Sequence, residues 1–508
     1  MRKCGALISM ALAFLAMWAP PASADKGQVT IALTGEPPTM DPHAAANVIG
    51  NIVWRWSYDS LLSSETGTGK LLPWLAERWE RLSPTAYKFW LRKGVKFTDG
   101  SPFTAEAVKY SMDRVLNSPR QRPYFQSLKQ IEILDDHTFV WHTKEPDNGF
   151  LLRLPRWAHA ISLQTKDADP ATISRRTFGT GPYVLKEWNK GQKMVFEANP
   201  NWWANDRYPN RPKAVILRHI PEGGTRVSAL AAGEVDVIMG VMPQFIPQLE
   251  QNPETRAVSV PGVRITYVSF ISRHGGPFAD PKVRLAVNHA IDAESIRKTI
   301  LGGKADLFGQ LLHPWNYAGY NPAKTWHGYD PEKAKALLKE SSHPDGFKAE
   351  LLATGDGRYP GDRATCEAVA GMLKKIGIDT TCKAMAFALY QKTLTAYQTG
   401  KEKGAAMFYM GFGGGQGDPY TALNALVSCE GHWSGTCFPD MDAAIQKAAA
   451  LADLGEQQTA YEKVTDAMKE RATHKVIAKI HDIFAFRRNV DFRPRHDENL
   501  YAWEITVK

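Results

Sequence analysis

The chain has 508 residues, well beyond the roughly 250–300 at which one hydrophobic core stops growing, so at least two compact lobes are expected. Hydrophobic residues make up 44% and charged residues 23% of the sequence, which excludes wholesale disorder and collagen-like or low-complexity architectures. The formal net charge is +9, but no more than two basic residues stand in a row, and this spread argues against a nucleic-acid partner.

The first 24 residues are typical of a secretory signal peptide. Two basic residues precede an apolar stretch over residues 5–19, and the small residues Ala-Ser-Ala follow at 22–24. We expect cleavage between Ala24 and Asp25 and therefore an exported mature protein. No later segment offers 18 uncharged apolar residues, so the sequence predicts no membrane-spanning helix.

The first predicted elements are a strand and a hairpin. Residues 28–33 are typical of an opening strand. Residues 87–92 alternate between polar and apolar side chains, Gly94 interrupts the pattern, and residues 95–97 resume it. This spacing predicts a hairpin in which residues 95–97 form the second arm.

A helix is predicted to follow from Ala105, with Thr104 as its cap. Val108, Met112 and Val115 then share one face, which is the spacing of a buried stripe. Before the long helices of the second half, the pattern predicts a hairpin at 131–142, strands at 183–188, 193–197, 235–238 and 266–271, and a helix at 226–232.

From Asp280 the pattern changes to long helices separated by short strands. Helices are predicted at 281–301, 331–340, 362–376 and 440–471, and strands near 348–353, 378–384 and 405–411. This alternation predicts α/β sheets in both lobes. The apolar segment 477–486 is predicted to return the chain to the first lobe, and no period of 20–50 residues indicates a solenoid.

Four cysteines remain after the predicted cleavage: Cys366, Cys382, Cys429 and Cys437. Their spacing in an exported chain favours the pairs Cys366–Cys382 and Cys429–Cys437, each closing a short loop, over four buried free thiols. The chain has no Cys-x-x-Cys and no His-Glu-x-x-His, so neither a structural metal nor a cofactor is expected.

Several segments closely resemble the signature of the extracellular solute-binding proteins of family 5, the peptide- and nickel-type binding proteins of ABC importers. The main ones are 75–79 (LAERW) and 87–108 (YKFWLRKGVKFTDGSPFTAEAV). Further matching segments are 179–183 (GTGPY), 199–203 (NPNWW), 232–236 (AGEVD), 277–284 (PFADPKVR), 290–292 (AID) and 329–335 (YDPEKAK). The resemblance covers essentially the whole mature chain, in family order.

The resemblance implies a two-lobed periplasmic binding protein fold of type II with an extra small domain. Such a monomer closes by a hinge over a peptide-like or small-molecule solute and delivers it to a membrane permease. By analogy, the predicted divisions are 25–58, 180–272 and 485–508 for the first lobe, 59–179 for the extra domain and 273–484 for the second lobe.

The segment from Gly411 to Pro419 resembles the cleft loop of dipeptide-binding members. Phe412 takes the aromatic position, Asp418 is retained, and Gly415 stands where those proteins carry the aspartate that pairs with a peptide's ammonium group. The resemblance therefore implies poor binding of simple dipeptides, with Glu36 or Asp418 as other acids for that group. From the residues alone, Phe412 is equally well a core aromatic and Asp418 a turn residue.

Other candidate ligand contacts follow from the same resemblance. Arg358 and Arg363 lie where dipeptide binders place the arginine that grips a carboxylate, although either could be a helix-start or surface charge. Trp433 lies between Cys429 and Cys437, in a stretch that resembles the family's disulfide loop. His432, beside it, is either an exposed loop residue or a ligand for a chelated metal.

The sequence favours a non-catalytic binding protein, because no Gly-x-Ser-x-Gly, catalytic metal motif or nucleotide fingerprint is present. The expected solute is peptide-like or derived from an amino acid. Binding of a nickel or other metal chelate, or of an opine, is the alternative on the same fold. A secreted hydrolase whose triad comes from distant residues is a remote alternative.

Overall fold

The computed structural model describes residues 27–355, 357–413 and 417–508. Its strands are β1 (Gln28–Leu33), β2 (Leu62–Ser64), β3 (Leu71–Pro73), β4 (Ala76–Ser83), β5 (Ala86–Leu91), β6 (Leu128–Asp135), β7 (Thr138–Thr143), β8 (Tyr183–Asn189), β9 (Lys193–Ala198), β10 (Ala214–His219), β11 (Val237–Met239), β12 (Thr255–Phe270), β13 (Ala305–Asp306), β14 (Phe347–Thr354), β15 (Ile378–Met385), β16 (Ala406–Phe412), β17 (His474–Arg487), β18 (Val490–Asp491) and β19 (Thr506–Val507). Its helices are α1 (Val48–Trp54), α2 (Ala105–Asn117), α3 (Arg122–Phe125), α4 (Phe150–Trp157), α5 (Pro170–Arg175), α6 (Gly223–Ala231), α7 (Ile246–Gln251), α8 (Pro281–Ala290), α9 (Ala293–Thr299), α10 (Pro331–Lys339), α11 (Asp362–Lys374), α12 (Phe387–Gln398), α13 (Pro419–Val427), α14 (Pro439–Ala450) and α15 (Leu454–Glu470).

One large mixed sheet runs through the molecule in the order β15-β14-β16-β12-β17-β11-β1-β10-β9-β8, with β13 paired to β17. At one end, β14 is parallel to both β15 and β16, and toward the other end β1 is parallel to both β10 and β11. A separate antiparallel sheet has the order β4-β5-β7-β6. The two parallel groups therefore lie on opposite sides of β12 and β17.

Strands β12 and β17 are the antiparallel pair that connects these two groups. Their register shifts between Pro261 and Arg264, where the chain of β12 gains residues relative to β17. At Gly262, inside the shift, an added Cβ would lie 2.8 Å from the carbonyl oxygen of Ile480. Such close contact between backbones explains why glycine occupies this position.

The hydrophobic side chains form two large buried clusters, which define two lobes. The first lobe's cluster joins β1, β9 and β10 to the four-stranded sheet, to α2 and α4, and to the chain end around Leu500–Ile505. The second lobe's cluster joins β14, β15, β16 and parts of β12 and β17 to α8, α11, α13, α14 and α15. A smaller cluster lies between β11, α6 and α7.

The predicted domain divisions stay predictions. The four-stranded sheet falls within the segment 59–179 that was expected to form the extra domain. The division expected between residues 484 and 485 falls inside β17, which runs on to Arg487. The predicted signal peptide, residues 1–24, lies outside the described residues.

Most predicted elements are found within a few residues of their expected ends. The strand at 28–33, the hairpin at 131–142, and the strands at 183–188, 193–197, 348–353, 378–384 and 405–411 are all confirmed. Val108, Met112 and Val115 are buried on α2, as expected. Thr104 precedes that helix, but its side chain makes no capping hydrogen bond.

Two kinds of prediction were wrong. Residues 95–97 are not the second arm of a hairpin, because β5 pairs with β4 and β7 and only Lys96 makes an isolated bridge, to Pro102.

The long helices expected at 281–301 and 440–471 are each broken in two. At the breaks, the side chains of Asp292 and Asp453 accept backbone hydrogen bonds at the starts of α9 and α15.

Both predicted disulfides are present. Cys366 of α11 is bonded to Cys382 of β15 and so fixes the helix to the last strand of the sheet. Cys429 and Cys437 close the loop between α13 and α14. Among the helices of the described segments, none is both long enough and apolar enough to span a bilayer.

Candidate functional site

A cavity of about 60 Å³ lies where the two lobes meet. Its walls include Arg55 after α1, Arg156 in α4, Val263 in the register shift, His313 and Trp315 from the second lobe, and Gly413 and Gly417 from the loop after β16. Because both lobes contribute to the walls, a molecule held there would contact both of them. This is the contact by which a ligand can favour a closed arrangement of two lobes.

The loop after β16 is the predicted cleft loop, and it borders the cavity through Gly413 and Gly417. Gly417 has φ of 85°, and an added Cβ would lie 2.6 Å from the carbonyl oxygen of Trp315. Only glycine fits that conformation and that contact. Gly415 lies outside the described residues, so its predicted role as the missing ammonium partner stays a prediction.

Asp418 is buried at the start of α13 and is not part of the cavity wall. Its carboxylate accepts a hydrogen bond from the backbone N–H of Tyr420 at 3.1 Å and one from the hydroxyl of Thr421 at 2.5 Å. It also accepts a hydrogen bond from Arg153 at 2.5 Å. In this structure the carboxylate is therefore already fully engaged by protein groups.

The ion pair between Arg153 and Asp418 joins α4, which packs with the first lobe, to α13 of the second lobe. The two side chains are only 4% and 1% exposed, and Arg153 also pairs with Asp147. Burial alone would lower the pKa of Arg153, but the charges of Asp147 and Asp418 outweigh it and raise the pKa above its ordinary value. We call Arg153 and Asp418 the interlobe ion pair.

Arg55 and Arg156 have a different environment. They are 7% and 9% exposed, they line the cavity, and neither forms an ion pair with a described carboxylate. Arg55 donates to two neutral acceptors, the hydroxyl of Tyr501 at 2.8 Å and the carbonyl oxygen of Pro155. Burial, with a contribution from the nearby positive charge of Arg55, lowers the pKa of Arg156.

His313 also lines the cavity, and it is buried and uncharged at neutral pH. Burial, aided by the positive charge of Lys479, lowers its pKa to about 3. Its Nε2 atom has no hydrogen-bond partner among the described residues. The second lobe therefore presents to the cavity a neutral imidazole with an unused nitrogen, beside the ring of Trp315.

Phe412, Arg358 and Trp433 belong to the second lobe, and none of them lines the cavity. Phe412 ends β16, is paired with Ile265 of β12 and packs against the second cluster. The guanidinium of Arg358 lies 3.6 Å from the ring centroid of Phe387, whose ring also approaches that of Trp433 at 6.4 Å. Their proposed ligand contacts stay predictions.

The other candidates also do not line the cavity. Arg363 is exposed in the first turn of α11, and His432 is exposed in the disulfide loop. The carboxylate of Glu36 accepts hydrogen bonds from Trp188 Nε1 at 3.0 Å and from the N–H of Gly191 at 3.1 Å. In the described part of the chain, no three His, Cys, Asp or Glu side chains cluster as a metal site would require.

Arg55, Arg156 and His313 are the cavity residues that sequence reasoning missed. A signal was available for the two arginines, because each interrupts a strongly apolar run: Arg55 stands between Trp54 and Trp56, and Arg156 precedes Trp157. A charged residue in such a run is expected to be buried with its neighbours and therefore to have a special partner. His313 offered no comparable signal.

Two lobes joined by long crossing strands, with a cavity between them, define a two-lobed binding protein. The fold is that of periplasmic binding proteins. A DppA protein from Helicobacter pylori, solved in complex with the peptide STSA, superposes with a TM-score of 0.79 at 24% identity and covers 95% of this chain and 98% of its own.

The chain belongs to the bacterial extracellular solute-binding proteins, family 5, whose middle-region model matches residues 70–434. The "Dipeptide-binding protein" of Escherichia coli K12 is 27% identical over 459 residues, with 83% of each chain covered. The "Glutathione-binding protein GsiB" of Salmonella choleraesuis is 28% identical over 461 residues, covering 88% of this chain and 87% of the relative. These findings confirm the family indicated by the sequence motifs.

Proposed function

We propose that the protein is the periplasmic substrate-binding component of an ABC importer. It captures a peptide-like or amino-acid-derived solute between its lobes and delivers it to a membrane permease, without catalysing a reaction on it. The observation that carries this proposal is the cavity whose walls come from both lobes. Family membership supports it, as do the peptide names of the two sequence relatives.

The proposal includes a signal peptide that is removed on export and a monomeric mature protein. A monomer suits the geometry, because the cavity walls come from a single chain and need no second copy. The buried ion pair across the lobes also fits a protein that alternates between open and closed arrangements, since a discrete contact of this kind favours one of the two.

The test is to release and identify whatever solute co-purifies, and then to return it to the stripped protein. A ligand that binds only the folded state stabilises it by RT ln(1 + [L]/Kd), which is about 2.7 kcal/mol at a hundredfold excess over Kd. We expect a rise in melting temperature that depends on solute concentration, with the solute recovered unchanged. Conversion of the solute to a product would favour the hydrolase alternative instead.

A further inference from the structure

Arg55 and Arg156 are two buried cations in one cavity without an ion-pair partner among the described residues. The guanidinium of Arg156 makes no hydrogen bond to any described residue, and its buried Nε is unpaired. Arg55 has only the neutral acceptors Tyr501 and Pro155, and its Nε is also unpaired. Buried cations are costly unless they are paired, so these two side chains need a counter-charge that the protein itself does not supply at contact distance.

The carboxylates in the neighbourhood are engaged elsewhere. Glu498 is paired with Arg264, and Asp497, which lines the cavity, is paired with Arg495 at 2.7 Å. Their charges act on Arg156 from a distance, but neither forms an ion pair with it. Glu65, which also lines the cavity, is exposed and accepts a hydrogen bond from Thr68.

We propose that Arg55 and Arg156 recognise a carboxylate group of the solute. The planar guanidinium forms two parallel hydrogen bonds to a carboxylate, and the unused Nε2 of His313 can donate a further one. The cavity of about 60 Å³ has room for several water-sized groups, so a carboxylate group fits inside it. The choice of a carboxylate rests on the proposed function, because amino-acid-derived solutes carry that anion.

The same arrangement disfavours an ammonium group at this position. Asp418 is engaged by Arg153, and Glu36 lies outside the cavity wall, so neither offers a free carboxylate there. The guanidinium groups of Arg55 and Arg156 would repel a cation beside them. The carboxylates of the wall are already engaged, since Asp497 is paired with Arg495 and Glu65 accepts a hydrogen bond from Thr68. The cleft is therefore specific for the anionic end of a solute, and solutes with a second carboxylate in place of an amine are favoured over simple dipeptides.

The test uses succinate and N-acetylglutamate as probes, with their uncharged diamides as matched controls and inorganic phosphate as a separate anion. Thermal shift and calorimetry are run at constant ionic strength on the full mature chain. We expect both carboxylate probes to raise the melting temperature and the diamides to have no effect. Arg156→Gln and Arg55→Gln should each weaken carboxylate binding about tenfold or more, because a hydrogen bond to a charged group is lost.

Arg122→Gln is the matched control, since Arg122 is exposed, lies outside the cavity wall and loses the same charge. It should leave probe affinity unchanged, and each variant's cooperative melt without probe reports whether it folds. Failure of both carboxylates to bind, stronger binding of phosphate, or equal binding by Arg156→Gln would overturn the proposal. If a solute without a carboxylate binds the native chain and Arg156→Gln equally, the binding function stands and only the carboxylate assignment fails.

Discussion

Helix α4 carries two buried arginines three residues apart whose environments are opposite. Arg153 contacts the carboxylates of Asp147 and Asp418, and its charge is fully compensated within the protein. Arg156 lines the cavity and has no described carboxylate within ion-pair distance. Helix α4 therefore has two roles. Arg153 makes an ion pair between the lobes, and Arg156, one turn later, leaves a positive charge in the cavity for a ligand.

The largest effect is expected when the compensated arginine is removed. Arg153→Met leaves two carboxylates without their cation, one of them almost completely buried. Breaking a buried ion pair in this way costs about 3–5 kcal/mol. Urea unfolding should show that loss in the free energy of unfolding. A loss below about 1 kcal/mol would mean that the ion pair does not stabilise this arrangement of the lobes.

The next largest effect on stability is expected from removing a disulfide of the second lobe that lies outside the cavity wall. Replacing both Cys366 and Cys382 by serine opens a link with a sequence separation of 16 residues, which the loop-entropy model values at about 3 kcal/mol. Urea unfolding should show this loss while the affinity for any identified solute stays unchanged. Loss of solute affinity in this variant would show that cleft geometry and second-lobe stability cannot be separated.

A smaller and pH-dependent effect is expected at His313. Its pKa is lowered by burial to about 3 in the folded state, against an ordinary value of 6.5. Below about pH 6.5 the unfolded chain therefore binds a proton that the folded chain refuses, so stability falls as the pH drops and levels off near pH 3. Between pH 7 and pH 5 this group alone removes roughly 2 kcal/mol.

His313→Gln should remove this contribution to the acid sensitivity. Chemical unfolding at pH 7 and pH 5 should therefore show a smaller loss in the free energy of unfolding for the variant than for the parent. Equal differences would indicate that His313 is charged in the folded state. In that case the cavity would hold a third cation, and Arg55 and Arg156 would no longer account for all of its positive charge.

The smallest effect on stability is expected at the uncompensated arginine. Arg156→Met removes a buried charge that has no partner, so the free energy of unfolding without solute should stay within about 1 kcal/mol of the parent or rise slightly. The matched change at Arg153 is its control, because both substitutions lie on α4. A loss comparable to that of Arg153→Met would assign Arg156 to the structure rather than to the ligand.

Local patterns predicted most elements because their causes are local. The stripe of Val108, Met112 and Val115 and the short strands bounded by Gly or Pro follow directly from side-chain period and turn chemistry. The two helix breaks were also local, since Asp292 and Asp453 are good N-caps that sequence reasoning overlooked. Strand pairing is not local, and this is why the predicted partner of β5 was wrong.

The residues of the candidate site also differ in how far the sequence could predict them. The loop around Gly413 and Gly417 could be located from its resemblance to relatives, and the structure places both glycines in the cavity wall. Arg55, Arg156 and His313 come from three distant segments, and their defining property is a missing partner. A missing partner cannot be seen in a sequence, because it depends on which side chains the fold brings within reach.

The position of β17 has a consequence for how the chain is made. This strand, residues 474–487, lies between β12 and β11, and the residues Leu500–Ile505 beyond it complete the first lobe's core. A growing polypeptide therefore cannot complete the first lobe until residue 505 has been synthesised, whereas N-terminal domains generally fold first during synthesis. That delay keeps the first lobe incomplete while the second lobe is being synthesised. Limited proteolysis of chains that end after residue 470 would measure it, since a resistant N-terminal lobe in such chains would contradict it.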